Sequence, residues 1–300
     1  MQDFDAPGTA GLLPYAALVD ALRVAATELA GGAIVCPLRQ VITMPGGGLL
    51  LSMLAVGVDL AVHKLVTVVP VNRERGLPTI QGRVSVWDAA TGAQRLSLDG
   101  ATVTGRRTAA LSMLGIVSLL PHRPRCVWVT GTGAQARHHV EALAELFPGA
   151  RISVAGRTPG ASEKFCAGHA HLGAALGPAP AVFEEEIDVF IACTTSQRPV
   201  YCEPARAGRL VIAVGSFSPA AAEIDAATVR GSQLYVDDLE GARHEAGDLI
   251  QAGVDWTQVH PLAQALAGDE PPRGPVLLKT VGNAAWDLAA ARVAMTSYGA

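Results

Sequence analysis

The 300-residue sequence predicts an α/β protein, a doubly wound parallel sheet joined to a strand-rich α+β domain. Three observations predict it. Half the residues are apolar but only 5% are aromatic, a mixture of small and aliphatic side chains that suits close helix–sheet packing. The length is enough for about two domains. The texture also changes along the chain: short β-rich runs separated by glycine turns give way, after Pro121, to strand–turn–helix alternation.

Taken in order, Tyr15 to Leu29 has apolar residues at helical spacing, with Asp20, Arg23 and Glu28 on the other face and Gly31-Gly32 as the stop. Strands are predicted at Leu49–Leu54, Val62–Val69, Arg83–Asp88 and Gln94–Leu98. Gly46-Gly47-Gly48, Gly76-Leu77-Pro78 and Thr91-Gly92 punctuate them, and Asp88 to Gly92 reads as a hairpin turn. The Thr104 hydroxyl is placed to cap a helix from Arg106 to about Leu119. Pro121-His122-Arg123-Pro124 then breaks the chain, dividing a domain of residues 1–120 from one of 121–282. In the second domain Cys126–Val129, Arg151–Val154, Asp188–Cys193, Leu210–Val214, Leu234–Val236 and Val276–Lys279 read as buried parallel strands, with a helix over Asp238–Ala252 among those connecting them. Asn283 to Met295 is a final helix expected to pack back on the first domain, so 283–300 are grouped with 1–120.

Net charge is −4 with no basic block, which argues against a nucleic-acid partner. The most apolar stretch, Leu49 to Val69, is interrupted by Asp59, His63 and Lys64, which argues against a membrane span. The N-terminus lacks the basic start and apolar core of a secretory signal. Cys36, Cys126, Cys166, Cys193 and Cys202 are scattered, and are read as reduced core thiols of a cytoplasmic protein. No metal is expected: His169 and His171 have no companion cluster of Cys or acids. His138 and His139 are placed on a helix surface, and Glu184-Glu185-Glu186 in a solvated turn.

The turn Gly131-Thr132-Gly133-Ala134-Gln135-Ala136 follows a strand and opens a helix. Gly131 permits the tight turn, Gly133 lets backbone approach a pyrophosphate, and Ala136 fills the third small position of a Rossmann dinucleotide fingerprint. The free N–H groups and positive end of the helix complete an anion site. The next strand runs into Ala155-Gly156-Arg157-Thr158 with no acid to bond a ribose 2′-hydroxyl. Arg157 and Thr158 suit a 2′-phosphate instead, so NADP(H) is favoured over NAD(H).

Three cations stand in awkward places. Lys64 lies in the apolar run V-D-L-A-V-H-K-L-V-T-V-V-P, Arg107 in T-G-R-R-T-A-A at the expected start of a helix, and Arg39 in C-P-L-R. A buried lysine costs free energy unless paired, and a cation at a helix N-terminus opposes the dipole. Each has a bland reading too, Lys64 snorkelling to water and the arginines pairing with acids.

With their surroundings these segments resemble the ornithine cyclodeaminase/μ-crystallin family, especially its bacterial ketimine reductases. The phrases are H-K-L-V-T-V, G-L-P-T-I-Q-G-R-V-S-V-W-D, T-V-T-G-R-R-T-A-A, V-T-G-T-G-A-Q-A-R-H-H, C-T-T-S-Q-R-P-V, V-D-D-L-E-G-A-R-H-E-A-G-D-L and L-K-T-V-G-N-A-A-W-D-L-A. The resemblance runs in order from Arg39 to Ala290. It implies a homodimer packed through the strand-rich domains, and a small imino-acid substrate whose carboxylate is held by Arg39, Lys64 and Arg107. Lys64 is also the candidate catalytic residue, supplying or holding the proton of the iminium, since burial can lower a lysine pKa. Thr194, Thr195 and Ser196 are expected to line the ribose or nicotinamide, and Val281-Gly282 to approach its ring.

The cyclodeaminases carry an aspartate where this sequence reads V-G-S-F-S-P, with Phe217 at the matching position. A phenyl group cannot move a proton, so NADPH-dependent reduction of a cyclic imine to proline or pipecolate is favoured. Two alternatives stay open: an ornithine-cyclodeaminase-type ammonia lyase, with Glu223 or Asp225 as the substitute acid, and a non-catalytic NADP-binding protein.

Overall fold

The computed structural model describes every residue except 184, 185, 269 and 300, with Arg73 described by its backbone alone. Most of the predicted Glu184–Glu186 turn thus lies outside the described residues. The chain divides into two units, Met1–Arg107 with Asn283–Ala300, and Thr108–Gly282.

The first unit begins with β1 (Gln2–Asp3), α1 (Ala6–Gly11) and α2 (Tyr15–Ala30). The predicted stripe of α2 is buried at Tyr15, Leu18, Leu22, Ala25 and Ala26. Strands β2 (Gln40–Thr43), β3 (Leu49–Val56), β4 (Leu60–Val68), β5 (Ile80–Asp88) and β6 (Gln94–Asp99) join β1 in a sheet of order β1-β6-β5-β4-β3-β2. It is antiparallel except at the β1–β6 edge. Asp88 closes the β5–β6 hairpin by accepting the Thr91 N–H and hydroxyl at 2.9 and 2.8 Å. Strand alternation sends Leu51, Met53 and Ala55 of β3 and Val62, Lys64 and Val66 of β4 to one buried face. The short elements β1, α1 and β2 were not predicted. β2 and β1 are all exposed and carry no alternating burial that a pattern could reveal.

Helix α3 (Gly100–Leu119) follows, and the division between the units falls inside it rather than at the Pro121 break. It starts earlier than predicted. Asp99, not Thr104, is the cap: its Oδ1 accepts the Thr102 N–H at 2.7 Å and the Thr102 hydroxyl at 2.6 Å. A carboxylate both caps the helix and meets the positive end of its dipole, so it prevails over the later hydroxyl.

The second unit contains β7 (Cys126–Thr130), α4 (Ala134–Leu146), β8 (Arg151–Ala155), α5 (Pro159–Gly168), β9 (Ala175–Pro178), β10 (Val189–Ala192), β11 (Leu210–Ala213), α6 (Ala226–Arg230), β12 (Gln233–Val236), α7 (Leu239–Glu245), α8 (Gly247–Ala252), β13 (Val259–Pro261), α9 (Leu262–Ala267) and β14 (Val276–Lys279). All its strands are parallel, in the order β13-β12-β14-β11-β10-β7-β8-β9. The order reverses between β7 and β10, which makes the crevice at their carboxyl ends the switch point where doubly wound sheets bind ligands. The single helix expected over 238–252 is two, broken at Ala246 (ψ 77°). The Asp248 carboxylate explains the break: it accepts the N–H groups of Glu223 and Ile224, which fixes α8 against that loop.

The last helix, α10 (Ala284–Gly299), belongs to the first unit and packs on α2, β3 and β4. Arg292 ties it down by pairing with Glu28 and Asp59. Among the described residues no helix is long and apolar enough to cross a membrane.

Two expectations are corrected. His138 and His139 are buried, not on the surface, because α3 covers that side of α4: Ser112 of α3 lies 2.9 Å from His139 Nε2. The cysteines are all free thiols, but only Cys166 and Cys193 are buried. Cys36 and Cys126 are half-buried and Cys202 is exposed, at segment ends that the core does not cover.

Candidate active site

In the first unit the buried face of β4 carries Lys64, 2% exposed. Its ammonium lies 2.7 Å from Oδ2 of Asp287, on the first turn of α10. The other oxygen of Asp287 lies 3.4 Å from Nε of Arg107. Arg107 is therefore not the helix opener that was predicted. It sits in the interior of α3, 5% exposed, and its burial, not a clash with the helix dipole, is what requires an anion. Arg39 is half-buried just before β2. Burial pushes the Lys64 pKa down to about 8; Asp287 opposes the fall, while the charges of Arg107 and Arg39 add to it. The structure thus brings Lys64 and Arg107 onto one carboxylate and places Arg39 where its charge acts on Lys64. Asp287 was missed in the sequence, where W-D-L-A-A-A reads as an ordinary helix. Thr104, one turn before Arg107, has a buried hydroxyl with no hydrogen-bond partner among the described residues.

In the second unit the glycine turn follows β7 at the switch point. Gly131 has φ 123°, and a Cβ there would drive into the carbonyl oxygen of Cys193, so no other residue fits. Gly133 is the extended N-cap of α4 and supplies no side-chain cap, which leaves the first N–H groups, those of Ala134 and Gln135 among them, for an anion. After β8, Arg157 is exposed and makes no ion pair or hydrogen bond with any described residue. Thr158 caps α5, its hydroxyl accepting the Ala161 N–H at 3.3 Å. An anion cradle at the head of α4 fits the phosphates of a nicotinamide dinucleotide.

The other crest loops are tightly organised. Thr194, after β10, donates its N–H and hydroxyl to Glu223 Oε1 at 2.7 and 2.8 Å. Oε2 accepts the N–H groups of Gly215 and Ser216, after β11, at 2.7 and 3.3 Å. Burial raises the Glu223 pKa, and the nearby Lys279 charge opposes the rise. Lys279 pairs with Asp248 at 2.8 Å and donates to the Ser216 carbonyl at 2.7 Å. Glu223 does turn inward, but as a staple whose oxygens are both engaged. Asp225 caps α6. Neither acid is available to replace the carboxylate missing at Phe217, which is 36% exposed in the loop after β11. Thr195 is exposed, while the Ser196 hydroxyl donates to the Arg198 carbonyl. Val281 and Gly282 give their N–H groups to the two oxygens of buried Asp237, at 2.9 Å each.

The model of the ornithine cyclodeaminase/mu-crystallin family matches residues 15–298. The chain is 54% identical over 292 residues to Delta(1)-pyrroline-2-carboxylate reductase 2 of Burkholderia ambifaria, covering 97% of this chain and 94% of that one. It is 52% identical over 298 residues to the Delta(1)-pyrroline-2-carboxylate/Delta(1)-piperideine-2-carboxylate reductase of Azospirillum brasilense, covering 99% and 96%. Among solved structures, that of Thermococcus litoralis Delta(1)-pyrroline-2-carboxylate reductase in complex with NADH and L-proline is similar at a TM-score of 0.89 and 27% identity, covering 99% of this chain and 97% of that one.

Proposed function

Since the chain belongs to the ornithine cyclodeaminase/mu-crystallin family, we propose that it is a ketimine reductase that converts 1-pyrroline-2-carboxylate to L-proline and 1-piperideine-2-carboxylate to L-pipecolate with NADPH. It is an oxidoreductase of the nicotinamide-dependent class that acts on cyclic imines. The observation that carries the reading is the pair of buried cations, Lys64 and Arg107, on the one buried carboxylate of Asp287, a net positive charge that a small carboxylate completes.

In this reading Arg39, Lys64 and Arg107 hold the substrate carboxylate. Arg107, with a planar guanidinium in a water-poor site, gives the firmest contact. Lys64, whose pKa of about 8 lets it give up a proton near neutrality, supplies the proton that the ring nitrogen takes. The reduced nicotinamide, when bound, supplies the hydride for C2. The turn 131–135 holds the pyrophosphate, and Arg157 with Thr158 holds the 2′-phosphate. Thr194, Thr195 and Ser196 shape the ribose side, with Thr194 already fixed by Glu223. Val281 and Gly282, fixed by Asp237, border the nicotinamide ring.

The partner in solution is a second copy. The outward face of the first unit's sheet exposes Ile42 at 60%, Leu54 at 45%, Val56 at 46% and Leu65 at 43%, an apolar surface that a homodimer would cover. Five free thiols are consistent with a reducing, cytoplasmic setting.

The experiment is an NADPH-oxidation assay against cyclic and acyclic imino acids, with ornithine as a control. Oxidation with the two cyclic imines is expected, with no ammonia from ornithine. Proline formed from ornithine without added cofactor would overturn the reading, and so would tight NADPH binding with no turnover of any imine.

A further inference from the structure

Asp287 is fully buried, and among the described residues it is the carboxylate that meets both Lys64 and Arg107. The charged groups that face Lys64 are Asp287 from α10, Arg107 from α3 and Arg39 from the segment before β2. Burial and both guanidinium groups drive Lys64 towards losing its proton; Asp287 alone among these charged groups opposes them. It also touches Lys64 and Arg107 with different oxygens, so one side chain on a rigid helix sets the separation of two cations on different elements.

We propose that Asp287 is the positioning residue of the reductase site, keeping Lys64 charged and aligned with Arg107 so that the lysine both grips the substrate carboxylate and delivers a proton to the ring nitrogen. The proposal rests on the imine-reductase reading above. The step balances: hydride bonds to C2, the C=N π pair moves to nitrogen, and nitrogen takes a proton from the Lys64 ammonium, which recovers one from water. The carbon is reduced and the nicotinamide oxidised. Asp287 reaches the substrate only through Lys64.

Asp287→Asn keeps the shape and removes the charge. The chain has three lysines, Lys64, Lys164 and Lys279, so lysine-selective carbon-13 NMR, assigned with Lys64→Met, follows Lys64 without any assay of activity. The Lys64 midpoint should fall by about 1–3 pH units in Asp287→Asn, the usual effect of losing an opposite charge at contact distance. The basic limb of kcat/KM should fall with it, so the loss of activity is about fivefold or more at pH 8 and much smaller at pH 6. The double variant Lys64→Met/Asp287→Asn leaves no charge of the pair behind and guards against misfolding of the single one. It should be no slower than Lys64→Met alone. An unmoved Lys64 midpoint, or a double variant far below Lys64→Met, overturns the proposal. A wild type that binds NADPH but reduces no cyclic imine overturns the reductase reading instead, while the NMR titration still decides whether Asp287 governs Lys64.

Discussion

Asp237 holds Val281 and Gly282 with one carboxylate, each oxygen accepting one backbone N–H at 2.9 Å. Gly282 has φ 85°, so this is a turn whose geometry glycine permits and Asp237 fixes. Asn at 237 offers one acceptor and turns an amide N–H towards the other donor. Asp237→Asn should lose about 1–3 kcal/mol of stability, the usual cost of a buried group left unsatisfied. Urea unfolding measures it, and a midpoint equal to wild type would show that the turn holds itself.

In the proposed reading cofactor choice turns on Arg157, which is exposed beside the capped start of α5 and makes no ion pair or hydrogen bond among the described residues. Arg157→Ala should weaken NADPH by roughly ten- to a hundredfold, about 1.5–3 kcal/mol for a charge-assisted phosphate contact, and leave NADH nearly unchanged. Fluorescence titration of both cofactors decides. Equal weakening of the two makes Arg157 structural, and a wild type that prefers NADH refutes the NADPH assignment.

Arg39→Ala, Lys64→Met and Arg107→Lys should each raise the barrier for kcat/KM by about 2–4 kcal/mol, roughly thirty- to a thousandfold, with NADPH affinity little changed. Lys64→Met should lower kcat as well as affinity. If all three fold, bind NADPH and reduce the imine within a few-fold of wild type, the carboxylate is bound elsewhere.

His139 predicts the acid limb of stability. Burial holds its pKa down at about 4, against 6.5 for an ordinary histidine. The unfolded chain therefore binds the extra proton first. The contribution is complete above pH 6.5 and is lost as pH falls towards 4, by an amount on the order of 3 kcal/mol. His139→Gln, neutral throughout, should flatten that part of the pH–stability curve. An unchanged slope would place the acid sensitivity in another group.

What was readable in the sequence was local. The stripe of α2, the alternation of β3 to β6 and the strand–Gly131–helix turn each declare themselves within a short window. So does the awkwardness of Lys64, because a lysine in an apolar run needs a partner wherever that partner is. The partner itself was not readable: Asp287 follows a tryptophan in an alanine-rich helix, and only the return of α10 to the first unit brings it to β4. Arg107 was misplaced within its helix because D-G-A-T-V-T offers several capping side chains, and the choice of Asp99 fixes the helix start. His139 was set on a surface because the sequence does not say that α3 lies over α4.

The return of α10 has a consequence for how the protein is made. Lys64 and Arg107 leave the ribosome long before Asp287, with the whole of Thr108–Gly282 synthesised in between. The nucleotide unit is contiguous and can fold as it emerges. The first unit must wait, with the face of β3 and β4 that α10 will cover still open and two cations lacking their anion. A chain ending at Gly282, held on the ribosome by a linker long enough to clear the exit tunnel, should thus carry a protease-resistant second unit and a first unit that is still cleavable.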